Sequence, residues 1–285
     1  MCAQPEYDDR GYDAVYAEFE SPAMQKVRQE AYGKDIGQHS WVTAEELEED
    51  IPRIRLTRAS RLLDLGCGPC GPLVFIVGRV GCHASGVDLS PRAIAAGRAR
   101  VAAHGLESLI TLHEADLNEP MPFDSGYFDA VISIDAVLHL RDRAKVFREV
   151  ARILVPGGRF LFTDAGVITG SISDDEIRGR AFHGRTQFVP PGYNERMLEL
   201  AGFRLVMCID RTASLLKSST GRLSARLNHR ADVELLEGSA YFAGQQHYLE
   251  TVAGLSQRGA MSRMMYLAES RPPAVQTNSP RLAGD

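Results

Sequence analysis

Between residues 60 and 164, short apolar runs alternate with amphipathic stretches whose apolar residues recur at helical spacing. The apolar runs predict buried strands because they are short and rich in aliphatic residues; they cover 61–65, 83–87, 109–113, 128–134 and 159–162. The amphipathic stretches predict helices, one opened by Ser90 and Pro91 and one over 142–154 that Pro156-Gly157-Gly158 stops. Strands that alternate with helices predict an α/β fold with a doubly wound sheet.

The regions on either side of this core follow a different pattern. Residues 1–58 are polar and mostly helical in pattern, and Thr43 with Glu46 predicts a capping box at a helix start. Beyond the core, the pattern predicts a helix over 193–200 and two last strands over 203–209 and 262–267. The predicted segments are an N-terminal helical segment or lid (1–58), a cofactor-binding core (59–164), the rest of the sheet (165–270) with helical cap insertions at 165–190 and 212–258, and a disordered tail (271–285).

Composition and charge narrow the class of protein. The 285 residues include 32 Lys and Arg against 37 Asp and Glu, a net charge of −5, which argues against a protein that binds nucleic-acid phosphates. No apolar stretch approaches the roughly 20 residues of a membrane helix, and the first residues lack the basic and apolar regions of a signal peptide. The five cysteines are odd in number and scattered, which favours a reducing compartment. We therefore predict a cytoplasmic enzyme without a nucleic-acid or membrane partner; the oligomeric state stays open.

The strongest functional signal is a glycine-rich turn after the first predicted strand. Gly66, Gly68 and Gly71 follow residues 61–65 and open the next helix, so the backbone can approach a ligand closely and free helix amides face it. Asp88 follows the second predicted strand, where a carboxylate can accept hydrogen bonds from both hydroxyls of a ribose. Together these residues predict a site for a cofactor that contains a nucleoside.

The same glycines also fit the spacing of a dinucleotide-binding turn, so an NAD-type oxidoreductase is one alternative. Two carboxylates argue against it. Asp64 stands two residues before the first glycine, where it is awkward beside a pyrophosphate but suits a ligand with an ammonium group. Asp116 follows the third predicted strand, in Glu114-Ala115-Asp116-Leu117, and an acid there can accept a hydrogen bond from the adenine amine.

Five segments of the core resemble the successive motifs of class I S-adenosylmethionine-dependent methyltransferases. In chain order they are Asp64-Leu65-Gly66-Cys67-Gly68, Val87-Asp88-Leu89-Ser90, Ala115-Asp116-Leu117, Phe128-Asp129-Ala130-Val131-Ile132-Ser133 and Leu154-Val155-Pro156-Gly157-Gly158-Arg159. The resemblance implies a seven-stranded Rossmann-like sheet whose last strand is antiparallel, with S-adenosylmethionine as cofactor and S-adenosylhomocysteine as product. One departure is Pro69-Cys70, where the family often has a tighter turn.

A resemblance to the small-molecule branch of this family, near sarcosine-, phosphoethanolamine- and natural-product-methylating enzymes, extends upstream to Tyr32-Gly33-Lys34-Asp35-Ile36-Gly37-Gln38-His39-Ser40-Trp41. It implies that Asp88 holds the ribose and that Leu89 packs on adenine. The predicted cofactor site consists of Gln38, Trp41, Asp64, Gly66, Gly68, Asp88, Leu89, Asp116, Leu117 and Ile134. No second ligand pair has metal-binding spacing, so no metal site is predicted.

Two histidines are candidates for contact with the methyl acceptor. His139 follows the fourth predicted strand and lies at the sheet edge where ligands bind, so we predict that it acts as a general base or contacts the acceptor. His183 is the second candidate. Asp135, four residues before His139, is expected to shape the pocket or to cap a helix.

Three further patterns have a structural as well as a functional interpretation. They are the tyrosines Tyr7, Tyr12 and Tyr16, the arginines Arg222, Arg226 and Arg230, and the cysteines Cys67 and Cys70. The tyrosines fit an aromatic lid or one packed helix face. The arginines fit an anion-binding site or a solvated helix face, and the cysteines fit a redox pair or ordinary turn residues. In each case we favour the structural interpretation.

These interpretations combine into one predicted function. We predict an enzyme that moves a methyl group from S-adenosylmethionine, by in-line displacement, to an oxygen, nitrogen or carbon atom of a small metabolite such as a natural-product intermediate. Because the methyl group is already activated, the protein mainly aligns the acceptor and excludes water. Besides the oxidoreductase, a cofactor-binding cyclase or regulator that transfers no methyl group stays open, since a fold does not fix a chemistry.

Overall fold

In the part of the chain that the computed structural model describes, residues 12–271, seven strands form one mixed sheet in the spatial order β3-β2-β1-β4-β5-β7-β6. In chain order the strands are β1 (Arg61–Leu65), β2 (His83–Asp88), β3 (Ile110–Glu114), β4 (Phe128–Ser133), β5 (Leu154–Ile168), β6 (Phe203–Asp210) and β7 (Met261–Ser270). β7 runs antiparallel to both of its neighbours, β5 and β6. The predicted Rossmann-like sheet with an antiparallel last strand is confirmed.

Helices cover both faces of the sheet and one of its edges. In chain order they are α1 (Asp13–Ala17), α2 (Pro22–Tyr32), α3 (Ala44–Ile54), α4 (Gly71–Val80), α5 (Pro91–Ala103), α6 (Arg143–Ile153), α7 (Asp174–Arg180), α8 (Tyr193–Leu200), α9 (Thr212–Asn228), α10 (Arg230–Glu237) and α11 (Ser239–Gln257). Successive residues of a strand point to opposite faces. In β1, Leu62 therefore joins the apolar cluster of α3, α4 and α5, while Leu63 joins that of α6 and α8. Both leucines are fully buried, and this double coverage explains the apolar character of the central strands.

The cap over the carboxyl edge of the sheet, which we define as α1, α2, α7, α9, α10 and α11, combines two distant parts of the chain. Val27 and Ala31 of α2 pack in one apolar cluster with Ala225 of α9, Val233 of α10 and Phe242 of α11. The helices predicted within 165–190 and 212–258 are present. The N-terminal helices therefore do not stand apart from these insertions, because α2 buries its apolar face against them.

β5 is longer than the predicted fifth strand, and the helix before it is shorter. α6 ends at Ile153 and Leu154 is already extended (ψ 142°), so Pro156-Gly157-Gly158 lies inside the strand. The register with β4 shifts in this region, and the middle residue of the turn takes φ +78°. The expectation that this turn stops the helix is therefore wrong, since here proline and glycine mark a strand irregularity. β5 also passes the predicted boundary at 164 and pairs with β7 as far as Ile168.

α3 begins as predicted, but half of the expected capping box is replaced by an ion cluster. Thr43 Oγ1 accepts a hydrogen bond from Glu46 N (3.3 Å). The Glu46 carboxylate instead accepts hydrogen bonds from Arg263 Nη1 (2.9 and 3.0 Å). Arg263 is fully buried on β7 and also donates to Asp135 Oδ1 (2.8 Å). This Arg263 ion cluster (Glu46, Asp135 and Arg263) ties α3 to β7 and to the loop after β4.

Residues 1–11 and 272–285 lie outside the described part of the chain. Tyr7 and nearly all of the tail predicted over 271–285 fall there. Between residues 12 and 271, none of the helices combines the length and the apolar character needed to cross a membrane.

Candidate active site

A cavity of about 200 Å³ lies at the carboxyl ends of β1, β2, β3 and β4, beneath the cap. This is the edge at which open α/β sheets bind ligands. The predicted site residues that line it are Trp41, Asp64, Gly66, Gly68, Asp88, Leu89, Asp116, Leu117, Ile134, His139 and His183. Gln38 is not among the lining residues. Its amide oxygen accepts from Ile36 N (2.9 Å) and its amide nitrogen donates to Lys34 O (3.4 Å), so it fixes the loop before Trp41 instead.

The turn after β1 requires its glycines for two reasons. Gly66 and Gly68 have φ of +72° and +52°, a region that residues with a Cβ rarely adopt. In addition, a Cβ on Gly66 would lie 2.5 Å from the Cβ of Ala136, which belongs to the loop after β4. The departure from the family at Pro69-Cys70 is accommodated because Cys70 itself takes a left-handed conformation (φ +62°).

Asp88, at the end of β2, organises this turn. Its Oδ2 accepts a hydrogen bond from Gly68 N (2.8 Å) and its Oδ1 accepts one from Ser90 N (2.9 Å). Each carboxylate oxygen can accept a second hydrogen bond, which leaves capacity for two ligand hydroxyls. Burial raises the pKa of Asp88, although these amides act in the opposite direction.

The neighbouring wall of the cavity is apolar with one acid beside it. Leu89 and Leu117 both line the cavity, and Leu89 is an exposed large apolar side chain. Asp116 Oδ1 accepts hydrogen bonds from the backbone and side-chain nitrogens of Asn118 (2.9 and 2.7 Å). This wall can hold a flat heteroaromatic ring with a hydrogen-bond donor at its edge.

Asp64, at the end of β1, is a buried acid with an unused oxygen. Its side chain is 2% exposed, and its Oδ1 has no hydrogen-bond partner among residues 12–271. Burial, together with the charge of Asp88, raises the pKa of Asp64 to about 8. A buried oxygen without a partner is costly, and a ligand ammonium group would satisfy it and favour the ionised carboxylate. The cavity therefore fits a cofactor that carries an amino group.

The raised pKa of Asp64 predicts an unusual effect of pH on stability. Folded Asp64 keeps its proton up to about pH 8, whereas in the unfolded chain an aspartate loses it near pH 4. The folded state binds more protons between these values, so the wild type loses stability as pH rises from about 4 to about 8. We expect Asp64→Asn, which cannot titrate, to gain at least about 1 kcal/mol relative to wild type between pH 5 and 8, since one pKa unit is worth about 1.4 kcal/mol.

Urea unfolding of both proteins at pH 5 and pH 8 measures this difference. The matched control is Asp129→Asn, because Asp129 also accepts a backbone hydrogen bond beside β1, from Arg61 N (2.8 Å), but at the exposed opposite end. Equal changes in stability for wild type and Asp64→Asn between the two pH values would contradict the prediction.

His139 lies in the 3₁₀ turn Val137–His139 after β4, where its hydrogen bonds fix one tautomer. Its Nδ1 is 2.6 Å from Arg185 O, and since a carbonyl only accepts, Nδ1 carries the proton. Nε2 is therefore the basic nitrogen, and it accepts a hydrogen bond from the Tyr12 hydroxyl (2.9 Å). Burial lowers the pKa of His139 to about 4, so the imidazole is neutral near pH 7.

Aromatic rings from three parts of the chain close the cap end of the cavity. The Tyr12 ring stacks on His183 (5.1 Å between centroids) and on Tyr16 (6.0 Å). His183 also contacts Tyr248 edge to face (4.9 Å) and lies near His39 (6.1 Å). Tyr12 and Tyr16 thus pack together and also line the cavity. Neither Tyr248 nor His39 is marked as a site residue by the sequence, because Tyr248 lies in no motif and His39 is one of several polar residues in the segment that ends at Trp41.

The three arginines at 222, 226 and 230 do not form a solvated face. Arg226 is buried and its guanidinium pairs with Glu237. Arg222 lines the cavity with its guanidinium 5.0 Å from the centroid of the Trp41 ring. Of the three, only Arg230 is exposed. The interpretation as a solvated helix face is therefore wrong for Arg222 and Arg226, because α9 packs between α2 and α11. A four-residue spacing shows that residues share one helix face, but it does not show whether that face is buried.

Cys67 and Cys70 are buried beside the glycine turn, with their Sγ atoms 3.6 Å apart. Contact with Cys70 and burial both raise the pKa of Cys67 well above its usual value, which disfavours the reactive thiolate. Among the side chains of residues 12–271, no group of three or more His, Cys, Asp or Glu is placed to hold a metal ion.

Comparison with known proteins gives a family match and several relatives. Residues 63–162 match the family model described as a methyltransferase domain. The chain is 33% identical over 179 residues to sarcosine/dimethylglycine N-methyltransferase of Halorhodospira halochloris, covering 60% of this chain and 61% of that protein. It is 32% identical over 127 residues to methyltransferase GfsG of Streptomyces halstedii, covering 45% of each. The chain thus spans less than two thirds of the length of these curated relatives.

Among solved structures, the fold is similar to that of the [4+2]-cyclase SpnF, with a TM-score of 0.74 and 19% identity over 92% of this chain and 95% of that one. At this level of identity the likeness concerns the fold. Residues 63–162 thus match a methyltransferase domain, and the sheet around them has the topology of the solved structures to which it is similar.

Proposed function

We propose that this protein transfers a methyl group from S-adenosylmethionine to an oxygen, nitrogen or carbon atom of a small molecule. The observation that carries the proposal is the buried carboxylate of Asp64, whose unpartnered oxygen lies at the cavity wall that Asp88 shares. An ammonium group and two ribose hydroxyls can donate to these two acids, whereas the pyrophosphate of NAD has no hydrogen-bond donor and would oppose their ionisation. The relative named as a sarcosine/dimethylglycine N-methyltransferase supports a small acceptor.

S-adenosylmethionine supplies a methyl group that its sulfonium charge has already activated. The task of the chain is to hold the cofactor, to place the acceptor atom about 3 Å from the methyl carbon and to exclude water. In this proposal Asp64 accepts from the ammonium group and Asp88 from the ribose hydroxyls. Leu89 and Leu117 cover the adenine, and Asp116 accepts from its amine. The cap encloses the acceptor, which favours a metabolite over a macromolecule.

His139 is the proposed base for an acceptor that loses a proton. The lone pair of its Nε2 accepts a hydrogen bond from the Tyr12 hydroxyl (2.9 Å). An acceptor O–H or N–H that displaces this hydroxyl would donate to the same nitrogen. Arg185 O would hold the Nδ1 proton throughout, so the ring would keep its orientation during the transfer.

The low pKa of His139 leads to a prediction about pH. With a pKa of about 4, the imidazole stays neutral down to about pH 5, whereas an unperturbed histidine is half protonated at about pH 6.5. We expect NMR titration to place the midpoint of the resonance that His139→Gln removes below pH 5. For an acceptor that loses a proton, we expect the same variant to lower kcat about 100-fold or more with little change in S-adenosylhomocysteine affinity. A midpoint near 6.5 would contradict the lowered pKa, and an unchanged kcat would contradict the role of His139 as the base.

Calorimetric titration with S-adenosylhomocysteine, with NADH run in parallel, tests the proposed function. We expect S-adenosylhomocysteine to bind and NADH to give no heat of binding. The demethylated product is the better probe because it is stable and keeps the adenosine and amino-acid groups. Binding of NADH alone would overturn the proposal.

A second candidate is a cyclase that binds the cofactor without transferring its methyl group. The likeness to SpnF, named as a [4+2]-cyclase, over 92% of this chain favours it. Both candidates predict that S-adenosylhomocysteine binds. The distinguishing measurement follows radiolabelled methyl from S-adenosylmethionine into a panel of small molecules. A labelled product supports methyl transfer, and an isomerised product without label supports the cyclase.

A further inference from the structure

The two ends of the active-site cavity differ in the ionisable side chains that line them. Around the glycine turn, the lining side chains include the carboxyl groups of Asp13, Asp64, Asp88 and Asp116, and the one guanidinium there, that of Arg141, pairs with Asp116 (3.5 Å). At the cap end, Arg180 and Arg222 line the same cavity. The acidic end matches the cofactor in the function proposed above, and the basic end calls for a separate explanation.

Arg180 differs from the other buried arginines. In the described residues, those with at most 7% exposure are Arg28, Arg143, Arg159, Arg180, Arg226 and Arg263. All of them except Arg180 contact a carboxylate within 4.0 Å. Arg180 is 3% exposed, and within residues 12–271 its hydrogen bonds go only to neutral oxygens, Tyr248 Oη (3.4 Å) and Ala165 O (3.3 Å). Its Nε has no hydrogen-bond partner among these residues. Burying a cation without an anion destabilises the folded state. A purely structural role therefore does not explain why Arg180 is buried.

Arg222 provides a second guanidinium on the same side of the cavity. Within the described part of the chain, its contacts are the Trp41 ring (5.0 Å), His39 O (3.4 Å) and the Tyr32 side chain, none of which is a carboxylate. The charges of Arg180 and Arg222 both act on His183, whose pKa burial lowers well below its usual value and these two cations lower further. The two guanidiniums therefore flank one region, beside a histidine that is itself neutral.

We propose that the methyl acceptor carries an anionic group, a carboxylate or a phosphate, that binds between Arg180 and Arg222. This rests on the function proposed above and names its substrate class. Guanidinium groups pair with carboxylate and phosphate oxygens through two parallel hydrogen bonds, and such an anion supplies the counter-charge that Arg180 lacks. The same two cations repel a protonated amine, so the cap end selects against cationic acceptors.

The test uses calorimetric titration of the protein loaded with S-adenosylhomocysteine. The probes are benzoate, phenyl phosphate, benzamide and benzylamine, which share a ring and differ in charge. We expect the two anions to bind at least tenfold more tightly than the neutral and cationic probes, and their relative affinities distinguish a carboxylate from a phosphate site. Arg180→Gln and Arg222→Gln should each weaken anion binding about tenfold or more, because hydrogen bonds to charged groups contribute about 1.5–3 kcal/mol. Arg230→Gln, which changes an exposed arginine at the start of α10, should leave it unchanged.

Three results would overturn the proposal: equal binding of benzamide and benzoate, full anion affinity in both cavity variants, or no binding of either anion. If Arg180→Gln does not fold, Arg222→Gln alone tests the proposal, because Arg222 is only half-buried and its replacement should leave the fold intact. Failure of S-adenosylhomocysteine to bind would instead count against the proposed function. The same four probes titrated into the unloaded protein would then still decide whether the cap end binds anions.

Discussion

Asp88→Ala is expected to weaken binding of S-adenosylhomocysteine at least about 100-fold. Two charge-assisted hydrogen bonds to the ribose would be lost, each worth about 1.5–3 kcal/mol, and about 1.4 kcal/mol corresponds to tenfold in affinity. The variant also removes the acceptor of Gly68 N and Ser90 N, so the glycine turn loses its support. Calorimetric titration of wild type and variant measures the change.

The control for this variant is Asp129→Ala. Asp129 also accepts a backbone hydrogen bond, from Arg61 N (2.8 Å), but at the opposite end of β1 from the cavity. We expect it to bind S-adenosylhomocysteine like the wild type. Asp88→Asn, which keeps one acceptor oxygen without the charge, should fall between the wild type and Asp88→Ala. Full affinity in Asp88→Ala would reject the assignment of the ribose site.

Arg263→Met is expected to lower the free energy of unfolding by about 3–5 kcal/mol, because breaking a buried ion pair leaves an uncompensated charge. Arg263 is fully buried, and its guanidinium pairs with both Glu46 (2.9 Å) and Asp135 (2.8 Å), whereas Arg211 pairs with Glu46 only at a longer distance (3.6 Å). Without it, two carboxylates remain between α3, β7 and the loop after β4. Asp135 also accepts a hydrogen bond from Trp41 N (2.9 Å), so the cavity wall should loosen together with the core.

Urea unfolding near pH 7 measures this loss. The matched control is Arg204→Met, which removes the exposed ion pair between Arg204 and Glu269 (2.9 Å) and should cost less than about 1 kcal/mol. A triple variant that also carries Glu46→Gln and Asp135→Asn should recover part of the lost stability, because it removes the two buried carboxylate charges together with the guanidinium. Similar losses in the free energy of unfolding for Arg263→Met and Arg204→Met would show that the Arg263 ion cluster stabilises the protein no more than an exposed ion pair does.

The sheet and the cofactor end are predictable from sequence because their signals are local. Asp64, Gly66 and Asp88 each stand at a strand end, where spacing along the chain fixes position in space. Apolar runs likewise place β1, β2, β3 and β4 to within a few residues. The error at Pro156-Gly157-Gly158 has a physical cause: both residue types end helices, but they also mark irregular strands, and only the register with β4 decides between the two.

The acceptor end is not predictable in the same way. Arg180, Arg222 and Tyr248 come from three cap helices, and no local pattern tells which helix faces which. Arg226 illustrates the limit, since its spacing from Arg222 marks one helix face, but only the packing of α9 against α2 and α11 buries that face. The roles assigned to individual site residues, the division into four segments and the cytoplasmic location stay predictions.

Trp41 has an optical consequence. It is the single tryptophan of the chain, it is buried in the cavity wall, and its ring lies 6.0 Å from that of Tyr248 and 5.0 Å from the Arg222 guanidinium. The tryptophan fluorescence of the protein therefore arises from one site, at the junction of the two ends of the cavity. A shift in tryptophan emission on addition of a ligand therefore indicates a change in the surroundings of Trp41. No label is needed, and no second tryptophan contributes to the signal.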